Sequence, residues 1–125
     1  MKLCRYGKDG FEKPGMIDGV SLMDDAGVPR DHYRLWPGYV PFCFEPFPGQ
    51  AGFSLVLIDV DHYQPTAESL RWAAPRVSRG GILALDDYIP ATELLATKAI
   101  KEFLARESRF EPVAEFNQQL ILRRK

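Results

Sequence analysis

Two short apolar runs, each closed by aspartates, dominate the hydrophobic pattern of the chain's second half. Phe53-Ser54-Leu55-Val56-Leu57-Ile58 is almost continuous and stops at Asp59. Ile82-Leu83-Ala84-Leu85 stops as abruptly at Asp86-Asp87. Runs that do not alternate with polar residues suit strands buried on both faces of a parallel sheet. Between them, Pro65 and Thr66 fit the first turn of a helix, where proline sacrifices no needed N–H. Leu70, Ala73, Ala74 and Val77 then recur at helical spacing. Pro75 ends or kinks that helix in its last turn, ahead of Gly80-Gly81. Strand, helix and strand in this order predict a right-handed crossover joining parallel strands.

A second helix is predicted from about Ala91 to Arg106, with Leu95, Ala99, Ile100, Phe103 and Leu104 facing inward. Phe110 to Phe116 and Gln119 to Leu122 read as two short strands. Asn117-Gln118 between them is just long enough for a tight hairpin, although it lacks the glycine that favours such turns. Pro112 puts the first of these strands at an edge or makes its early residues irregular. Residues 1 to 52 differ in character: they hold most of the prolines and glycines and show weak periodicity. A helix is expected there from Ile17 to Ala26, capped by Gly27 with Pro29 beyond. A short strand is expected over His32 to Trp36. Pro41 to Gly52 reads as loop, with Phe42, Phe44 and Phe47 packing beneath it or lining a pocket. The chain is thus expected to be a single domain over residues 1–125, with a loop-rich segment 1–52 and a βαβαββ core 53–125.

Composition narrows the class of function. The 125 residues suffice for one modest core. A hydrophobic content of 46% with 26% charged residues is ordinary for a globular protein. A net charge of -1 gives no electrostatic reason to expect nucleic acid or an anionic membrane as partner. No apolar run approaches membrane-spanning length, and Met1 to Gly7 lacks the apolar core of a signal peptide. Cys4 and Cys43 form neither a metal-spacing motif nor a disulfide framework, so they read as free thiols of a cytoplasmic protein.

The chemistry belongs where the two best strands stop, because ligands of open parallel sheets bind beyond the carboxyl ends of the strands. Asp59 and Asp61 stand at one end, Asp86 and Asp87 at the next. Adjacent strands lie about 4.8 Å apart, so Asp59 and Asp86 should be neighbours. Crowded carboxylates repel unless they are protonated, hydrogen-bonded or neutralised by a cation. Oxygen-only ligands favour a hard divalent ion such as Mg2+. Helix capping would explain one aspartate at each junction; it does not call for two.

These residues also resemble a known family. Leu57-Ile58-Asp59-Val60-Asp61-His62-Tyr63, Arg76-Val77-Ser78-Arg79-Gly80-Gly81, Leu85-Asp86-Asp87-Tyr88 and Ala99-Ile100-Lys101-Glu102-Phe103-Leu104 are similar, in order and separation, to motifs of the macrocin O-methyltransferase family. The likeness is close over residues 53 to 105. It extends more loosely to Leu35-Trp36-Pro37-Gly38-Tyr39-Val40-Pro41 and to the stretch from Gln119 to Arg124. It implies an α/β, Rossmann-like class I methyltransferase fold with a mostly parallel sheet and a C-terminal antiparallel hairpin. It further implies S-adenosylmethionine and Mg2+ as cofactors and a hydroxyl of a sugar or other small molecule as acceptor. The metal ligands implied are Asp59, Asp86 and Asp87, and the general base is Asp61. His62 stands where the family more often has leucine, and is a rival base.

The same resemblance makes Phe53 the start of the family's fourth strand, so the strands here would be the fourth, fifth, seventh and sixth in spatial order. The glycine-rich turn that receives the cofactor's methionine end would precede Met1, because Gly7 to Gly10 and Gly15 do not follow an apolar strand. The chain is therefore expected to be a partial domain, truncated at its N-terminus, that binds S-adenosylmethionine weakly. An exposed fourth-strand edge could pair between copies as a homodimer. The alternatives are a non-catalytic methyltransferase-like binding module and a receiver-like phosphoryl-transfer domain. The second fits poorly, since receivers carry their acidic pair on the earlier strand.

Overall fold

The two aspartate-closed runs form adjacent parallel strands. The computed structural model describes residues 4–6, 13–15, 38–44 and 52–125. In chain order these hold β1 (Cys4–Tyr6), β2 (Lys13–Gly15), a 3-10 turn (Phe42–Phe44), β3 (Phe53–Ile58), α1 (Tyr63–Ala73), β4 (Val77–Leu85), α2 (Leu95–Arg106), β5 (Phe110–Phe116) and β6 (Gln119–Arg124). The helix expected over 17–26, the strand over 32–36, Phe47 and the Cys4 side chain lie outside the described residues. β1 and β2 pair antiparallel; strands of three residues are too short to leave a periodic signal.

The main sheet has the order β3-β4-β6-β5, the spatial order the resemblance implies. Its directions correct one expectation. β3 and β4 are parallel, but β4–β6 and β6–β5 are antiparallel, so the sheet is mixed rather than mostly parallel. β3, β4 and β5 all run in one direction, joined through α1 and α2, and β6 alone is reversed. The two-residue turn at Asn117-Gln118 can join antiparallel strands alone. Both of its residues have positive φ, 47° and 62°, as a type I′ hairpin turn requires. The hairpin forms without glycine.

The core lies on one face of this sheet. The register sets Val56 beside Leu83 and Ile58 beside Leu85, then Leu83 beside Leu122 and Leu85 beside Leu120. These residues are buried together with Leu70 and Ala73 of α1, Ile100 of α2, and Phe110. Each large aliphatic side chain removed from water there contributes about 1.5–3 kcal/mol. Leu55, Leu57, Ile82, Ala84 and Ile121 share the opposite face and are half-buried or exposed.

Element boundaries depart from the sequence pattern in two places. α1 ends at Ala73, ahead of Pro75, and Val77 is the first residue of β4 rather than part of the helix stripe. It is nonetheless 0% exposed. The β3–β4 register shifts between Phe53 and Leu55, and the extra residues of β4 fold over Gly81. A Cβ on Gly81 would lie 2.8 Å from the Ser78 carbonyl oxygen and 3.0 Å from that of Phe53. α2 begins at Leu95 instead of Ala91, because residues 89–94 form a turn. Thr92 N–H donates to the Ile89 carbonyl (2.9 Å), and Leu94 N–H to Thr92 Oγ1 (3.2 Å).

Beside α1, Phe44 is buried and stacks on Trp72 with ring centroids 4.4 Å apart. The Arg76 guanidinium lies 4.7 Å from the Trp72 ring. Phe42 is 71% exposed and borders an open groove of about 490 Å³ with Arg71, Trp72 and Arg76. Of the loop phenylalanines, one packs and one lines a groove. Cys43, next to Phe44, is a buried free thiol, and burial raises its pKa.

Candidate metal centre

β3 and β4 leave the sheet side by side: the Asp86 N–H donates to the Ile58 carbonyl at 2.9 Å. Beyond β3 the chain reverses tightly. His62 N–H donates to the Val60 carbonyl at 2.6 Å, around Asp61 with φ 55°. An i to i+2 bond around a positive φ is the rarer, strained form of γ-turn. Beyond β4, Asp87 is also left-handed, with φ 57°. Aspartate is among the few residues other than glycine enriched in that region.

The two turns bring three carboxylates together. Asp59, Asp61 and Asp87 each offer an oxygen, all within 4.8 Å of one another, and all three residues are half-buried. Asp86 is half-buried beside them but is not a member of that group. The carboxylate from the second strand that reaches Asp59 is that of Asp87, one residue further along. His62 is exposed at the start of α1. Its carbonyl accepts hydrogen bonds from the Thr66 N–H (3.1 Å) and hydroxyl (2.8 Å). Of the five residues singled out from sequence, the fold unites three and leaves Asp86 and His62 as flanks.

The electrostatics of the group are those of crowded acids. The Asp87 carboxyl is pushed up to about 7. The main cause is its hydrogen bond with the Asp61 carboxyl; burial and the negative charges of Asp61, Asp86 and Asp59 add to it. Asp87 Oδ2 is buried without a hydrogen-bond partner. A shared proton relieves such crowding, and a divalent cation relieves it further. The donor set is all oxygen, which suits Mg2+, Mn2+ or Ca2+ rather than a thiolate- or imidazole-preferring metal. The residues present therefore fit a hard cation. The N-termini of α1 and α2 add partial positive charge nearby, with the Ala96 N–H donating to the Asp61 carbonyl at 3.2 Å.

Thr97 is a residue the sequence reading missed. It is 1% exposed. Its hydroxyl donates to the Asp87 carbonyl (3.0 Å) and accepts from the Ile89 N–H (2.9 Å). The available signal was a threonine on the otherwise apolar inner face of a helix. The two tyrosines near the site are structural. Tyr63 donates to Glu102 Oε2 (2.8 Å) and its ring faces Lys98 across the α1–α2 contact, while Tyr88 packs on the core. Among the described residues, no strand runs into a glycine-rich turn that opens a helix, and no helix is long and apolar enough to cross a membrane.

No protein-family model and no curated protein sequence matches the chain. Solved structures do. The O-methyltransferase NovP aligns over 84% of this chain and 43% of its own, with a TM-score of 0.69 and 21% identity. Apo CalS11, a TDP-rhamnose 3'-O-methyltransferase of calicheamicin biosynthesis, aligns over 67% of this chain and 36% of its own, with a TM-score of 0.49 and 22% identity. The likeness to NovP shows that this α/β fold, with its mixed sheet and two helices, is methyltransferase-like. The chain spans less than half the length of either structure.

Proposed function

We propose that this chain is the cation-binding part of an S-adenosylmethionine-dependent O-methyltransferase of the macrocin type, acting on a hydroxyl of a sugar or other small molecule. One observation carries the reading: three carboxylates from two strand ends meet within 4.8 Å on a methyltransferase-like fold. Asp59, Asp61 and Asp87 would hold a Mg2+ ion, with Asp86 adding negative charge beside it. When bound, that ion supplies Lewis acidity, lowering the pKa of an acceptor hydroxyl and fixing its oxygen.

The chain's own residues contribute orientation and proton transfer. The left-handed turns at Asp61 and Asp87 hold the carboxylates converged before any ligand arrives, so little ordering remains to be done on binding. The acceptor's proton passes to Asp61 or to its chain neighbour His62, the two candidate bases. Asp61 belongs to the converged group, whereas His62 is the more exposed of the two. The protein is proposed to work in the cytoplasm.

Methyl transfer from labelled S-adenosylmethionine to a panel of hydroxylated sugars, with and without Mg2+, tests the proposal. Mg2+-dependent transfer that is lost in Asp59→Asn supports it. Transfer insensitive to both Mg2+ and that substitution refutes it. A second reading, a non-catalytic methyltransferase-like binding module, is favoured by the 43% coverage of NovP; it predicts cation binding without transfer.

A further inference from the structure

The first turn of α2 touches both loops that carry the acidic group. Its Ala96 N–H donates to the carbonyl of Asp61, and its Thr97 hydroxyl is bonded twice to the loop after β4. A threonine at this position of a helix commonly bonds its own backbone. Here the hydroxyl points away from its helix and brackets Tyr88, donating to the residue before it and accepting from the residue after. Further along the same helix, Lys101 Nζ donates to the carbonyls of Pro90 and Thr92, both at 2.9 Å. α2 thus holds the loop at two points, one at Asp87 itself and one beyond it, while the Tyr88 N–H is held separately by the Gln118 carbonyl (2.8 Å).

We infer that Thr97 is a positioning residue for the acidic group: its hydroxyl fixes the backbone at Asp87 and so directs the Asp87 carboxylate toward Asp59 and Asp61. This rests on the cation-binding reading above. Asp87 occupies the left-handed region, and the Thr97 hydroxyl is bonded to its carbonyl there. Thr97 is buried, and removing its hydroxyl takes a hydrogen-bond partner from both the Asp87 carbonyl and the Ile89 N–H. Without the hydroxyl, the peptide after Asp87 is held only from its far side, by the Tyr88 N–H on the Gln118 carbonyl (2.8 Å), so the Asp87 backbone is free to shift and carry its carboxylate with it. Groups that orient metal ligands in this way commonly change metal affinity by about 10–100-fold when removed.

The test is Mn2+ affinity by calorimetry on the full chain, with a thermal melt for each protein. Thr97→Val keeps the shape and removes the hydroxyl; it is expected to weaken Mn2+ binding by about tenfold or more. Thr97→Ser restores the hydroxyl and is expected to return affinity close to wild type. Lys101→Ala loosens the same loop away from Asp87 and should leave affinity near wild type even where it lowers the melting temperature. Should Thr97→Val not fold, Thr97→Ala gives the same reading. Retained Mn2+ affinity in the folded hydroxyl-less variant, or equal loss in Lys101→Ala, overturns the role of Thr97 while leaving the cation site standing. Wild type that binds no Mn2+ overturns the cation reading itself, and Thr97's role with it.

Discussion

The carboxyl groups of Asp61 and Asp87, carried on turns after two different strands, bring oxygens within 4.8 Å of each other. Carboxylates so crowded favour keeping a proton, and Asp87 is held high, at about 7 against an ordinary 3.8, by hydrogen bonding to Asp61, burial and the neighbouring negative charges. Between those values the folded chain binds more protons at this position than the unfolded chain does. Stability should therefore fall as the pH rises from about 4 to about 7 and level off above. Thermal unfolding in chelator-containing buffer checks this. Asp87→Asn should flatten the dependence over that window, and Mn2+ at neutral pH should raise the melting temperature of the wild type.

Gly81 is the residue over which β4 folds. A methyl group there would meet the Ser78 and Phe53 carbonyl oxygens and the Val77 side chain at 2.8 to 3.0 Å. Two of these three are backbone and cannot yield cheaply. Gly81→Ala should cost about 1–3 kcal/mol in chemical denaturation, whereas a cost near zero would mean the bulge relaxes freely.

Phe44 fastens the 3-10 turn to α1 through its stack on Trp72. Truncation to alanine removes a buried ring and should destabilise the fold by about 3 kcal/mol. The same cluster packs against Val60, which lies between Asp59 and Asp61, so Mn2+ affinity measured well below the melting temperature should fall as well.

Much of this was legible from the chain alone, and the reasons are particular. Phe53–Ile58 and Ile82–Leu85 announced a parallel pair because their apolar runs are unbroken, and Asp59 and Asp86 marked where it ends. The hairpin at Asn117-Gln118 was readable from its two-residue spacing. The first residues of β4 were not, since Val77 fits helical spacing equally well and only the close approach at Gly81 shows that it is strand. The same limit applied at the site. Strand spacing places Asp59 beside Asp86, and only the backbone handedness at Asp61 and Asp87, which composition does not encode, brings the other two carboxylates in. Thr97 escaped notice because its partners are backbone groups, invisible in a sequence.

His62 and Asp61 can be told apart by their separate losses. Asp61→Asn should weaken Mn2+ binding, because Asp61 belongs to the converged group. If His62 is the base, His62→Gln should leave Mn2+ affinity intact and lower kcat by about a hundredfold or more. An unchanged kcat in His62→Gln assigns proton removal to Asp61.

Leu55 lies on β3, one of the two edge strands of the four-stranded sheet among the described residues, and is 58% exposed. We propose that two copies of the chain associate along this strand. Leu55→Lys places a charge of the kind that natural sheet edges use against pairing, so sedimentation velocity should show the wild type self-associating and the variant remaining a monomer. Identical profiles would remove this strand from any such contact.

The proposed function requires Asp59, Asp61 and Asp87 to act as one ligand set. The direct measurement is the paramagnetic resonance signal of free Mn2+ titrated with the chain at neutral pH. The signal should fall as one ion is taken up per chain, and Asp87→Asn should abolish most of that uptake. An undiminished free-ion signal at saturating protein, or equal uptake by a variant with Asp59, Asp61 and Asp87 all changed to asparagine, would contradict it.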